Sequence, residues 1–204
     1  MKIVITLLIS YLFGSIPWAL IIGKAFFNKD IRNEGSGNLG ASNAGRVLGR
    51  PIAIVVTILD ALKAFLAMTI AHFIAPGVEI YAGLAACFGH AFPIFANFKG
   101  GKAVATSYGF LLGIVLYITN QYLLQFILPI IYFFMSLYLS KMVSLSSMTS
   151  LFVVCIISFL LAFFKHIDYS SPVALLILSL FVAYRHKDNI KRIKEGKESK
   201  ISWM

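Results

Sequence analysis

The chain has 204 residues, 59% of them hydrophobic and only 13% charged, with a formal net charge of +10 and a mean hydropathy of +0.87. A soluble domain carries about 25% charged residues, so a water-solvated globule is excluded and lipid is the solvent for most of the chain. The basic residues are not interleaved with an aromatic reading surface, which excludes nucleic acid as a partner. Cys87 and Cys155 sit in apolar runs away from any CxxC or Cys/His cluster and read as buried small hydrophobes, not as a zinc site or a disulfide framework.

A membrane-spanning helix needs ~20 apolar residues, fewer where neighbours shield it. On that basis seven spans are predicted, at 3–23, 51–73, 78–96, 103–118, 122–139, 147–164 and 171–184, in an all-α integral membrane protein with a single polytopic domain over residues 1–204. The first span lacks a small-residue cleavage site and is read as an uncleaved helix, not a signal peptide. The last span is short and the break at 119–121 is slight, so five spans with two interfacial segments also fit. With seven, the loops 24–50, 97–102 and 140–146 and the tail 185–204 share one side. They hold five, two, one and seven of the 18 lysines and arginines; Lys2 and Lys165 fall on the other side and Lys63 within a span. The positive-inside rule then puts the amino terminus outside and the carboxyl terminus in the cytoplasm.

The first polar loop contains Gly35-Ser-Gly-Asn-Leu-Gly-Ala-Ser-Asn-Ala-Gly-Arg46. Its glycines allow successive N–H groups to turn toward one anion, serine and asparagine add neutral donors, and arginine adds a cation that binds phosphate bidentately. The segment reads as a phosphate cradle beside the bilayer, against the plainer reading of a flexible linker. Within the second span, Asp60 and Lys63 lie one turn apart and are read as a structural ion pair. His72 and His166 are placed near the outer boundary.

The third span runs into Gly89-His-Ala-Phe-Pro-Ile-Phe-Ala-Asn-Phe-Lys-Gly-Gly-Lys102. Here Pro93 and the Gly100-Gly101 pair interrupt the helix, and Lys99 and Lys102 flank the glycines, so backbone N–H groups and cations can again meet a phosphate. It is not a Walker A loop, because Ala103 follows the lysine. His90 is read as a hydrogen-bond partner that orients the helix. Between the fifth and sixth spans, Ser144 and Ser147 are candidate phosphate donors, though helix capping is the favoured reading. Where the last span leaves the membrane, Arg185, His186, Asn189 and Arg192 fall at helical spacing, with His186 and Asn189 one turn apart. Lys191 to Lys200 read as a basic tail lying on headgroups.

The segments GSIP (14–17), GSGNLGASNAGR (35–46), GHAFPIFANFKGGKAVAT (89–106) and YRHKDNIKR (184–192) resemble the acyl-phosphate-dependent glycerol-3-phosphate acyltransferases of bacteria, the PlsY type. The resemblance covers almost the whole chain in the same order and spacing. It departs at Ala103, where the family usually has glycine, and at Ser42, where threonine is common. It implies acyl transfer from a fatty acyl phosphate to the 1-hydroxyl of glycerol 3-phosphate, giving lysophosphatidic acid and inorganic phosphate. It also implies residence in the bacterial inner membrane among lipids, with the active site facing the cytoplasm. No metal and no cofactor are expected.

By that resemblance, Ser36 and Arg46 with Lys102 hold the phosphate of glycerol 3-phosphate, while Asn38, Asn43, Gly37 and Gly40 shape the cradle. Lys99, Gly100 and Gly101 bind the acyl phosphate, and His186 and Asn189 orient the glycerol hydroxyls, making His186, Asn189, Lys102 and Ser36 the catalytic set. His90, Arg185, Ser144 and Ser147 complete the expected substrate contacts, and Phe92, Phe95 and Phe110 line an acyl groove. No histidine has an aspartate five residues on; Gly77, Phe95, Ser171 and Lys191 stand there. The base is therefore either His186 or the acyl-phosphate oxygens, with the second favoured. A transporter of a phosphorylated metabolite and a thioester-dependent acyltransferase are the competing classes.

Overall fold

The computed structural model describes residues 1–202, which are helical with no strand among them. The chain forms two compact units that divide after Gly113.

The first unit begins with α1 (Lys2–Gly14) and α2 (Trp18–Phe27). Sequence reasoning made these one helix over 3–23; instead the axis bends by 42° between them. Pro17 has no N–H to donate and disfavours helical geometry at Ile16, so the first helix must stop and a second begin. After a polar connection comes α3 (Ala41–Leu48), which turns 8 residues of the expected 24–50 loop into helix. Gly49 then leads into α4 (Arg50–Ile74), with Pro51 in its first turn, followed by α5 (Glu79–Ala91) and a single 3₁₀ turn, Ile94–Ala96. The α6 helix (Val104–Ile114) carries the first unit to its last residue, Gly113.

Small residues set the packing here. A Cβ on Gly14 would strike the Ala86 carbonyl and one on Gly89 the Tyr11 carbonyl, so α1 and α5 meet backbone to backbone. Tyr11 Oη also donates to the Phe92 carbonyl at 2.7 Å, tying α1 to the chain just past α5.

The second unit opens with two π-helical turns, Val115–Thr119 and Leu123–Ile127, and continues through α7 (Leu128–Ser140), α8 (Val143–Phe163), α9 (Ser170–Arg185) and α10 (Lys187–Lys194). The α8 helix packs against both α7 and α9. It starts four residues before the expected span 147–164, so only Lys141 and Met142 separate it from α7. Gln125 is fully buried; its amide accepts from Thr119 and donates to Ser158 Oγ at 2.7 Å. In lipid such an amide has to be satisfied internally.

Four helical stretches, Arg50–Ile74, Glu79–Ala96, Leu123–Ser140 and Val143–Phe163, are long and apolar enough to cross a bilayer, and the bent α1–α2 pair makes a fifth. Val104–Thr119 and Ser170–Arg185 are apolar but shorter. Large side chains such as Phe73, Leu139 and Phe163 stand outward and exposed, as a lipid-facing surface requires.

Candidate active site

In the first unit, the connection between α2 and α3 is built around Asn43, which is 1% exposed. Its Oδ1 accepts the Ser36 N–H at 2.8 Å, and its Nδ2 donates to the carbonyls of Ile31 (3.0 Å) and Glu34 (3.2 Å). Asn43 therefore shapes the loop from beneath and presents nothing outward. Gly35 has φ +58°, and a Cβ there would strike the Asn43 amide oxygen, so only glycine closes this turn. Asn38 Oδ1 accepts the Gly40 N–H at 3.0 Å, just where α3 begins. No side chain caps that helix, and the Asn43 N–H donates to the Gly40 carbonyl at 3.1 Å, so among the described residues the N–H groups of Ala41 and Ser42 are the ones left to an outside acceptor.

Charge pairing separates the cations of this loop. Lys24 and Arg32 pair with Asp30, and Lys29 pairs with Glu34. The Arg32 guanidinium holds the Asp30 carboxyl far below the usual carboxylate range, and Asp30 in turn raises Arg32. Arg46, one turn into α3, is exposed and has no ion pair among the described residues. Ser36 is likewise exposed.

The second loop, 97–102, meets the first: Asn38 Nδ2 lies 3.5 Å from the Gly100 carbonyl. Lys99 is exposed and Lys102 half-buried. The expectation that the Gly100 and Gly101 N–H groups face a phosphate is corrected. They donate to the carbonyls of Ala91 (3.2 Å) and His90 (3.1 Å), and the N–H groups of Phe98 and Lys99 donate to Pro93 and Ala96. The pair is glycine for space, since a Cβ on Gly100 would strike the His90 carbonyl and one on Gly101 the His90 ring.

His90 is 6% exposed and does more than orient its helix: its Nδ1 lies 3.3 Å from Lys63 Nζ and 3.5 Å from Asp60 Oδ1. The expected Asp60–Lys63 ion pair is present at 2.7 Å. The acyl groove does not include Phe110, which is fully buried against Gly83; Phe92 is half-buried and Phe95 is 60% exposed.

In the second unit, His186 stands between α9 and α10 and Asn189 in the first turn of α10, both buried. His186 Nδ1 is 2.8 Å from the Val182 carbonyl. A carbonyl can only accept, so Nδ1 carries the proton and Nε2 of the neutral ring is the basic atom. Arg185 is half-buried.

Sequence reasoning missed Glu198. Its Oε1 accepts from Asn189 Nδ2 and Ser144 Oγ, each at 2.6 Å, and its Oε2 from Arg192 Nε at 2.8 Å. Burial raises this carboxyl, but those hydrogen bonds outweigh it and hold Glu198 below the usual range. Ile201 N–H also donates to the Lys141 carbonyl at 2.8 Å, so the chain end folds back onto the α7–α8 connection and does not merely lie on headgroups. Ser144 and Ser147 are not caps: Ser144 binds Glu198, and Ser147 Oγ donates to the Val143 carbonyl of its own helix. The only signal for Glu198 was an acid standing among lysines.

Residues 4–196 match the family model for glycerol-3-phosphate acyltransferase. A glycerol-3-phosphate acyltransferase of Enterococcus faecalis is 46% identical, over 100% of this chain and 94% of its own. One from Staphylococcus carnosus is 44% identical over 100% of both. The crystal structure of PlsY, an integral membrane glycerol 3-phosphate acyltransferase, in its glycerol 3-phosphate form superposes with a TM-score of 0.86 at 29% identity, covering 99% of this chain and 96% of that one. Its lysophosphatidic acid form gives 0.83 at 28% identity. The chain is thus an integral membrane acyltransferase and belongs to the glycerol-3-phosphate acyltransferase family.

Proposed function

We propose that the chain moves a fatty acyl group from an acyl phosphate to the 1-hydroxyl of glycerol 3-phosphate. The hydroxyl oxygen attacks the acyl carbonyl, the bond from that carbonyl carbon to the phosphate oxygen breaks, and lysophosphatidic acid and inorganic phosphate leave. The observation that carries the reading is the contact between the two glycine-bearing loops of the first unit, Asn38 to Gly100 at 3.5 Å, with exposed Ser36, Arg46 and Lys99 on the segments it joins. The likeness to a structure solved with glycerol 3-phosphate supports that substrate.

In this reading, Arg46, Ser36, Lys102 and the opening N–H groups of α3 hold the glycerol 3-phosphate phosphate. Lys99 meets the acyl phosphate and charge developing on the carbonyl oxygen, while Asn38, Asn43 and the loop glycines fix the shape of the backbone. His186 Nε2 and Asn189 orient the glycerol hydroxyls, with Arg185 beside them. The hydroxyl proton passes to the phosphate leaving group; an acyl phosphate is already activated, and positioning supplies much of the rate. The loop-bearing face lies in the cytoplasm of a bacterial cell, with seven helical passes through the inner membrane.

Purified protein in detergent, given acyl phosphate and glycerol 3-phosphate, should release inorganic phosphate, and acyl thioesters of coenzyme A or acyl-carrier protein should not replace the donor. Equal turnover with a thioester would overturn the donor assignment. Absence of turnover without a sealed vesicle would favour transport.

A further inference from the structure

The charged residues of α4 have no place in the scheme above, yet they reach the second loop. Asp60 and Lys63 are 2% and 3% exposed at their side chains, and His90, in the last turn of α5, meets both. Lys63 is an ammonium and can only donate, so His90 Nδ1 accepts from it and the ring proton lies on Nε2. The Nε2 edge is the one packed against Gly101, where any Cβ would collide with it. The same residue's carbonyl accepts the Gly101 N–H. The three-residue network thus ends on the glycine pair between Lys99 and Lys102.

A buried ion pair is a poor device for packing alone. Its desolvation offsets most of its attraction, and apolar residues of similar volume often serve as well or better. What it adds here is direction. An imidazole that accepts from a lysine, itself held by an aspartate one turn away on α4, has one orientation, and that orientation sets where Gly101 rests. We propose that Asp60 and Lys63 are positioning residues for acyl transfer, which lock His90 and through it the Gly100–Gly101 turn that carries Lys99 and Lys102 to the phosphate substrates. The inference rests on the acyl-transfer reading of this loop.

The test uses the double variant Asp60→Leu with Lys63→Met, which removes both charges together and leaves neither one unpaired in the core. The folded double variant, judged by a melting temperature close to that of the parent, should show KM for at least one phosphate substrate raised about tenfold, a loss of 1.4 kcal/mol in binding, with kcat within about twofold. Unchanged kinetics, or kcat falling with KM unmoved, overturns the proposal. If the double variant fails to fold, a cycle of Gly101→Ala, His90→Gln and their combination decides. Effects on KM that fall short of multiplying support positioning through one element, and independent effects overturn it. The parent enzyme's own phosphate release is the separate test of the function, so an active parent with silent variants sinks only this inference.

Discussion

Arg46 and Arg32 lie in the same polar segment, and their side chains have opposite fates. Arg32 is neutralised by Asp30, whose carboxyl it holds ionised, whereas Arg46 projects from α3 with no acid beside it among the described residues. A cation without an internal partner is the one available for a bidentate phosphate contact, which typically contributes more than a neutral hydrogen bond. Arg46→Ala should therefore lower kcat/KM for glycerol 3-phosphate roughly 10- to 100-fold. Arg32→Ala removes an exposed pair and should change it by less than about threefold. Phosphate-release kinetics on the two variants check this, and equal losses would refute it. Both arginines were visible in the sequence, but their difference was not. It depends on which acid the folded loop brings near.

At the scale of elements, the carboxyl end of the chain is the clearest departure from expectation. A run from Lys191 to Lys200 reads as a basic tail lying on headgroups, yet Glu198 joins α10 to the first turn of α8 through Asn189, Arg192 and Ser144. Because this carboxyl sits below its ordinary value of 4.5 in the folded chain, its contribution is fully present above that pH and is lost as the pH falls further. The melting temperature should decline on acidification below about pH 4.5, and Glu198→Gln should lower it at neutral pH while flattening the acid slope. An unaltered acid slope in Glu198→Gln would remove the residue from this role. The bend between α1 and α2 and the early start of α8 are the same kind of finding. Hydropathy sees an apolar run, while proline geometry and hydrogen bonding decide where within it the helix breaks or begins.

For the whole molecule, the distribution of lysine and arginine predicts a cytoplasmic tail and an outward α4–α5 connection. A cysteine placed at Lys200 should react with an impermeant reagent only after the membrane is breached, and one at Gly77 should react from outside. Both native cysteines are buried and should stay silent. The reverse pattern would invert the orientation. The sequence by itself determined the membrane class, the helical class and the family, because apolar length and three polar motifs are all local in the chain. Only the tertiary structure decided which side chains in those motifs face outward. Asn43 turned under its loop, the Gly100 and Gly101 N–H groups turned onto α5, Phe110 went to the core, and His90 joined Asp60 and Lys63. Asn43 and the glycine pair bond to groups 7 to 12 residues away, whereas His90 and Phe110 meet other helices, and the pull to pair buried polar groups in a lipid-solvated fold favours the polar contacts.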